Sequence, residues 1–157
     1  MTHSIRTVLW FRDGRGREAA GFYCTLIPGS HVGRTHSSDA GEGSFSVIDF
    51  TLAGVPYQIL DAGPHFTLSE AVSIAVETAD QAETDRLWQA LTADGGQESV
   101  CGWLKDRYGL SWQIYPKRLA ELTQHADKAV SGRAMAAMMT MKKIDIAAIE
   151  AAAMAPA

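Results

Sequence analysis

A chain of 157 residues with 46% hydrophobic and 20% charged content is long enough for one globular domain or two tightly joined halves, and needs no disulfide scaffold to bury a core. Its net charge of −4, with Lys and Arg scattered rather than striped, argues against a nucleic-acid partner. Cys24 and Cys101, outside any C-x-x-C pair, read as small buried hydrophobes in a reducing compartment; with no signal-peptide run and no apolar stretch of roughly 18 residues, a cytoplasmic protein without membrane contact is expected.

Residues 5–11 are β-branched and aromatic and read as a strand that ends at Arg12-Asp13-Gly14-Arg15-Gly16. A helix over about 16–26 follows, because Ala19, Phe22, Tyr23 and Leu26 recur at i, i+3, i+4, i+7, and Pro28-Gly29 stops it. Gly14-x-Gly16 stands between strand and helix, but a third glycine and the acidic end of a second Rossmann strand are both missing, so it reads as a turn and not a phosphate cradle. Residues 30–36 read as a strand, Ser37 to Ser44 as a mobile polar loop, and 45–53 and 56–62 as a hairpin through Gly54-Val55. Asp61 to Ser69, with Gly63-Pro64, leaves the strand pattern and is a candidate lid.

Ala71 to Thr78 reads as a strand. Asp80 with Glu83 forms a capping box before the apolar stripe Leu87, Trp88 and Leu91, and Gly95-Gly96 ends that helix. Strands follow over about 97–105 and 110–116; the break between the first two strands after the helix is not legible. Cys101 to Pro116 writes a hairpin, with two apolar runs flanking Asp106-Arg107-Tyr108-Gly109. Beyond Pro116, the segments 117–124, 127–141 and 144–154 are alanine- and methionine-rich and helical in period. Ala134, Met135, Met138 and Met139 share one face, and Ile146, Ile149 and Ala153 another. With few large residues this appendix is expected to have no core of its own, and either to pack on the domain's sheet or to embrace a second subunit.

The chain echoes itself. Tyr57-Gln58-Ile59-Leu60 resembles Trp112-Gln113-Ile114-Tyr115, and Thr7 to Phe11 aligns with Ser73 to Glu77, so residues 1–68 and 69–116 each read as a βαβββ module, followed by the appendix 117–157. The fold class is α+β. Two modules pairing their sheets would give a curved eight-stranded mixed sheet around a cleft, with helices outside and Gln58 facing Gln113 across a pseudo-twofold.

Trp10-Phe11-x-Asp13-Gly14, Glu18-Ala19-x-x-Phe22-Tyr23, Gly63-Pro64-x-Phe66, Glu70-Ala71-x-Ser73, Asp80-Gln81-x-Glu83, Cys101 to Gln113 and Met141 to Ile146 together resemble the PhnB-like branch of the vicinal oxygen chelate superfamily. This superfamily includes glyoxalase I, bleomycin-resistance proteins and extradiol dioxygenases, and the branch is often labelled a 3-demethylubiquinone-9 3-methyltransferase domain. The resemblance implies a glyoxalase/bleomycin-resistance/dihydroxybiphenyl-dioxygenase-like fold, and puts the superfamily's metal-ligand positions at Thr7, Gln58, Ser73 and Gln113. Two neutral amides and two hydroxyls neutralise none of a divalent ion's charge, so no metal and no cofactor are expected.

Other chemistry finds little support. His3, His31, His36, His65 and His125 show no metal-ligand spacing, and no Gly-x-Ser-x-Gly elbow is present. Glu77 shares the face of Ser73 and would act as a base only if desolvated, so no catalytic residue is assigned. The expected function is a homodimeric protein binding a small apolar or aromatic molecule through Thr7, Gln58, Ser73, Trp103, Gln113 and Tyr115. The alternative is a metal-dependent lyase, isomerase or dioxygenase of the same superfamily. Methyl transfer is disfavoured because no glycine-rich loop followed by a ribose-binding acid is written in the chain.

Overall fold

The structure is a computed structural model describing residues 3–38 and 43–156. The chain forms two compact units, Met1–Leu68 and Ser69–Ala157. The first holds β1 (Thr7–Phe11), α1 (Gly16–Leu26), β2 (His31–Ser38), β3 (Phe45–Leu52) and β4 (Val55–Asp61). The second holds β5 (Ser73–Thr78), α2 (Gln81–Thr92), β6 (Gln97–Glu98), β7 (Trp103–Lys105) and β8 (Ser111–Pro116), then α3 (Lys117–Thr123), α4 (Lys128–Met138) and α5 (Ile146–Ala153). Each unit therefore repeats strand, helix and three strands. The order is β1-β4-β3-β2 in one four-stranded sheet and β5-β8-β7-β6 in the other, so the eight strands form two mixed sheets. Part of the polar loop expected over Ser37 to Ser44 lies outside the described residues; its first two residues prolong β2.

Each sheet buries one face under its helix. In the first unit, alternation puts Leu9, Phe11, Ile48, Phe50 and Ile59 together beneath Ala19, Ala20, Tyr23 and Leu26 of α1. Phe22, expected on that stripe, is only half-buried. Two α1 glycines behave oppositely. Gly16 touches β4 so closely that an added Cβ would come within 2.6 Å of Ile59 Cγ2 and 3.0 Å of Asp61 Oδ2, whereas one on Gly21 meets nothing within 4 Å.

In the second unit, Ile74, Leu104, Trp112 and Ile114 lie beneath Leu87, Trp88 and Leu91 of α2. The cap forms with one shift from the expected box: Asp80 accepts from Glu83 N at 2.9 Å, and the Glu83 carboxylate accepts from Ala79 N, one residue before the cap, at 2.8 Å. The break unreadable in the sequence falls between β6 and β7. There Cys101 adopts a left-handed φ of 57° and Gly102 one of 83°. Their amides donate to the carbonyls of Met141 and Lys142, both at 2.8 Å, so residues remote in sequence set this turn.

The appendix departs from the sequence expectation. Leu119, Leu122, Val130, Ala134, Ile144, Ile149 and Ala153 form a buried cluster of their own, with Met138 and Met141 against it and Met135 and Met139 exposed. Small size is what permits this: Ala134 and Ala153 are fully enclosed, so helices approach closely around a few large side chains. Arg133 closes the arrangement by donating to the carbonyls of Ala152 and Ala153 at the end of α5. The helices are tied to the second module through Gln81, which donates to Ile144 O and accepts from Ile146 N, and through the pairs Lys143–Asp85 and Lys142–Glu98.

Gly16→Ala should lower stability by about 1–3 kcal/mol through its clash, and Gly21→Ala should raise it by about 0.5–1 kcal/mol through helix propensity, both read from urea midpoints. A second expectation concerns acid. Hydrogen bonding from Lys143, then from Gln81, holds the Asp85 carboxyl below its ordinary range; the Trp88 indole, then Lys142, does the same for Glu98. Depressed folded values mean that this tethering is complete above the unfolded values near 4 and is lost as pH falls through the folded ones. Hydrogen exchange in 128–153 should therefore be flat from pH 7 to about 5, after correction for intrinsic rates, and quicken below about pH 4.

Candidate functional site

The uncovered sheet faces carry most of the residues selected from the sequence. In the second unit, Trp103 pairs with Gln113 and Lys105 with Ser111 across β7 and β8, while Ser73 pairs with Ser111 and Ala75 with Gln113 across β5 and β8. Alternation places Ser73, Trp103, Lys105, Ser111, Gln113 and Tyr115 on the face opposite α2. Gln113 Nε2 donates to Ser73 Oγ at 2.7 Å, joining two of the expected residues. Tyr115 is half-buried against the helical cluster of the appendix, so its ring serves packing as well as this face. Glu77 pairs with Tyr115 at the end of the face and is exposed.

In the first unit Gln58 pairs with Val8 and Asp49, and its Nε2 donates to Asp49 Oδ1 at 2.8 Å. The same oxygen receives Arg6 at 2.9 Å, giving an Arg6–Asp49–Gln58 chain that the sequence reading missed. Thr7 does not join it. It pairs with Tyr57, one residue away from the Gln58 pairing, so its side chain points to the opposite face. The repeat alignment was one residue out of step in the first strands: Val8, not Thr7, stands to Gln58 as Ala75 stands to Gln113. The candidate lid packs on this uncovered face, where Trp10 Nε1 donates to Gly63 O at 2.9 Å and the Trp10 ring meets Phe66 edge-on at 4.8 Å.

These donors suit a divalent ion poorly. Val8 and Ala75 supply no ligand atom at the first-strand positions; each glutamine offers only a neutral amide oxygen, and Asp49 is shared between a guanidinium and an amide. Among the described residues, no three His, Cys, Asp or Glu side chains converge on one point. A nucleotide phosphate at the α1 N-terminus is also disfavoured, because the buried Asp61 carboxylate already accepts from Gly14 N at 3.1 Å and Gly16 N at 2.7 Å. The cysteines are free and half-buried; burial pushes the Cys24 thiol up, which disfavours thiolate chemistry there.

The second unit does contain a hollow. About 440 Å3 in volume, it is lined by Glu70, Gln97, Glu98, Ser99, Val100, Trp103, Leu104, Lys105 and Ser111. Ser111 is 1% exposed, and its Oγ has no hydrogen-bond partner among the described residues. Such a hydroxyl costs roughly 1–3 kcal/mol unless something inside the hollow takes it up. What shapes this wall is the β7–β8 hairpin. Asp106, 3% exposed, accepts from Tyr108 N at 2.8 Å, Leu110 N at 3.0 Å and Trp112 Nε1 at 2.9 Å.

The repeated strand, helix and three-strand order of the two units defines a class of protein. Among solved structures, the chain is similar to a putative 3-demethylubiquinone-9 3-methyltransferase, a PhnB protein, from Bacillus cereus, with TM-score 0.65 and 29% identity over 73% of this chain and 99% of that one. Protein PA1353 of Pseudomonas aeruginosa (TM-score 0.58, 19% identity, 73% and 98% of the two chains) and the fosfomycin resistance protein FosX of Listeria monocytogenes (0.56, 15%, 77% and 96%) share the fold. The architecture is that of the vicinal oxygen chelate proteins. Residues 3–115 match the family described as 3-demethylubiquinone-9 3-methyltransferase, and the chain belongs to that PhnB-like family. No curated protein sequence matches it.

Asp106→Ala would strand three donors, two of them backbone. We expect a loss on the order of 3 kcal/mol in urea unfolding, with Trp112 emission moving to the red as the hairpin loosens.

Proposed function

We propose that this PhnB-like protein binds a small apolar or aromatic molecule without a metal ion, as a cytoplasmic homodimer, on the uncovered faces of its two sheets. The observation that carries the reading is the hollow beside Trp103, in which an aromatic wall adjoins a buried, unpartnered Ser111 hydroxyl. Small-molecule sites are mostly apolar, with a few placed polar groups, and roughly 300–1,000 Å3 in volume. Ser73, Gln113 and Gln58 extend the polar character of the two faces, and Trp103 and Tyr115 the aromatic. The extended set includes Ser111 and Lys105; Thr7 falls outside it, on the helix-covered face.

The family description does not carry methyl transfer over to this chain. S-adenosylmethionine enzymes of the Rossmann type need a glycine-rich strand-to-helix turn with free amides in a doubly wound sheet. Here the sheets are mixed and four-stranded, and the two glycine amides before α1 already hold Asp61. A metal-dependent lyase, isomerase or dioxygenase would need ionic donors on the first and last strands of each module, where Val8, Gln58, Ala75 and Gln113 stand paired.

Metal content separates these readings. Purified protein, with and without chelator treatment, should carry no stoichiometric ion, and micromolar zinc, nickel or manganese should move its Tm by less than about 1 °C. A stoichiometric ion, or a shift of several degrees, overturns the metal-free reading.

A further inference from the structure

We propose that the hollow on the second sheet takes a small aromatic carboxylate, whose anionic group replaces Glu70 on Lys105 and accepts a hydrogen bond from the Ser111 hydroxyl while its ring lies against Trp103. This inference rests on the small-molecule reading above and adds the ligand's charge and the residues that read it.

Four observations converge. Lys105 and Ser111 are directly paired across β7 and β8, so their side chains leave the same face as neighbours, typically about 5 Å apart at Cβ. One offers an ammonium and the other a buried hydroxyl with no partner among the described residues, and one acceptor placed between them satisfies both. Trp103 stands two residues before Lys105 on that face, and Val100 adds apolar wall. The fourth is Glu70. From the segment before β5 it pairs with Lys105 at the rim of the hollow, its side chain 67% exposed against 33% for Lys105. Hydrogen bonding from Lys105 holds the Glu70 carboxyl below its ordinary range, so at neutral pH the lysine's partner is an anion. A pair this exposed is weak and readily exchanged. Glu70 thus marks where a carboxylate belongs and leaves the position open to a better-placed one.

The lining also limits the anion's charge. Among the described residues that line the hollow, Lys105 is the only cation, and Glu98 is engaged by Trp88 Nε1 and Lys142. A monoanion that displaces Glu70 takes over the one ammonium, whereas a phosphate dianion would bring a further charge into a lining that already holds the Glu70 and Glu98 carboxylates.

Benzoate and its neutral analogue benzamide are the probes, titrated calorimetrically into the full-length protein, with Tm as the control for folding. Benzoate should bind at least tenfold tighter than benzamide. Ser111→Ala should weaken benzoate about tenfold and Lys105→Met should abolish the preference over benzamide, as loss of charge-assisted hydrogen bonds requires. Glu70→Gln should tighten benzoate about two- to fivefold by removing its competitor, the reverse of what a simple contact residue would do. Equal binding of the two probes, an unchanged affinity in Ser111→Ala, or weaker binding in Glu70→Gln overturns the inference and leaves the small-molecule reading standing. If neither aromatic binds the unmodified protein at millimolar concentration, both readings fall.

Discussion

The second module depends on one buried carboxylate. Asp106 gathers two backbone amides and the Trp112 indole around its oxygens, and in doing so fixes both the turn and the side chain that anchors the sheet to α2. Trp112 is fully enclosed, so its orientation leaves no slack in the register of β8. Because side chains alternate along a strand, holding Trp112 inward holds Ser111 and Gln113 outward. The uncovered face is thus specified from behind. In the first module Asp61 serves in a comparable way, joining the end of β4 to the start of α1 through Gly14 and Gly16.

Features written over a few residues were legible in the sequence. The spacing of Ala19, Tyr23 and Leu26 located α1, Asp80 with Glu83 started α2, and the polar quartet from Asp106 to Gly109 announced the hairpin. Features settled by distant contacts were not. The turn between β6 and β7 exists because Cys101 and Gly102 find the carbonyls of Met141 and Lys142, a pairing that no local pattern encodes. The helical core of the appendix was hidden by composition, since alanines, each too small to build a core alone, are what let α4 and α5 close together.

The site shows the same division. Ser73 and Gln113 were found by analogy between the modules and are hydrogen-bonded to each other, while Thr7 was lost to a slip of one residue that inverts which face a side chain joins. Ser111 and Lys105 were within reach, lying two residues from Gln113 and Trp103 on the same strands. What sequence cannot reveal is that the Ser111 hydroxyl lacks a partner, because that is a property of everything around it. The Arg6–Asp49–Gln58 chain was missed because Asp49 sits on a strand where the superfamily's ligand pattern gives no reason to look.

At the ends formed by β6 and β2, the two sheets differ in a way that bears on self-association. β6 presents only two residues, and the turn that follows is clasped by backbone from the appendix, so a foreign strand has almost nothing to pair with. β2 runs for eight residues, and its guard is irregularity: its pairing with β3 shifts between Val32 and Thr35, around Gly33, and it carries Arg34 and His36. Of these two edges, β2 is the one open to strand addition, and smoothing that bulge invites it.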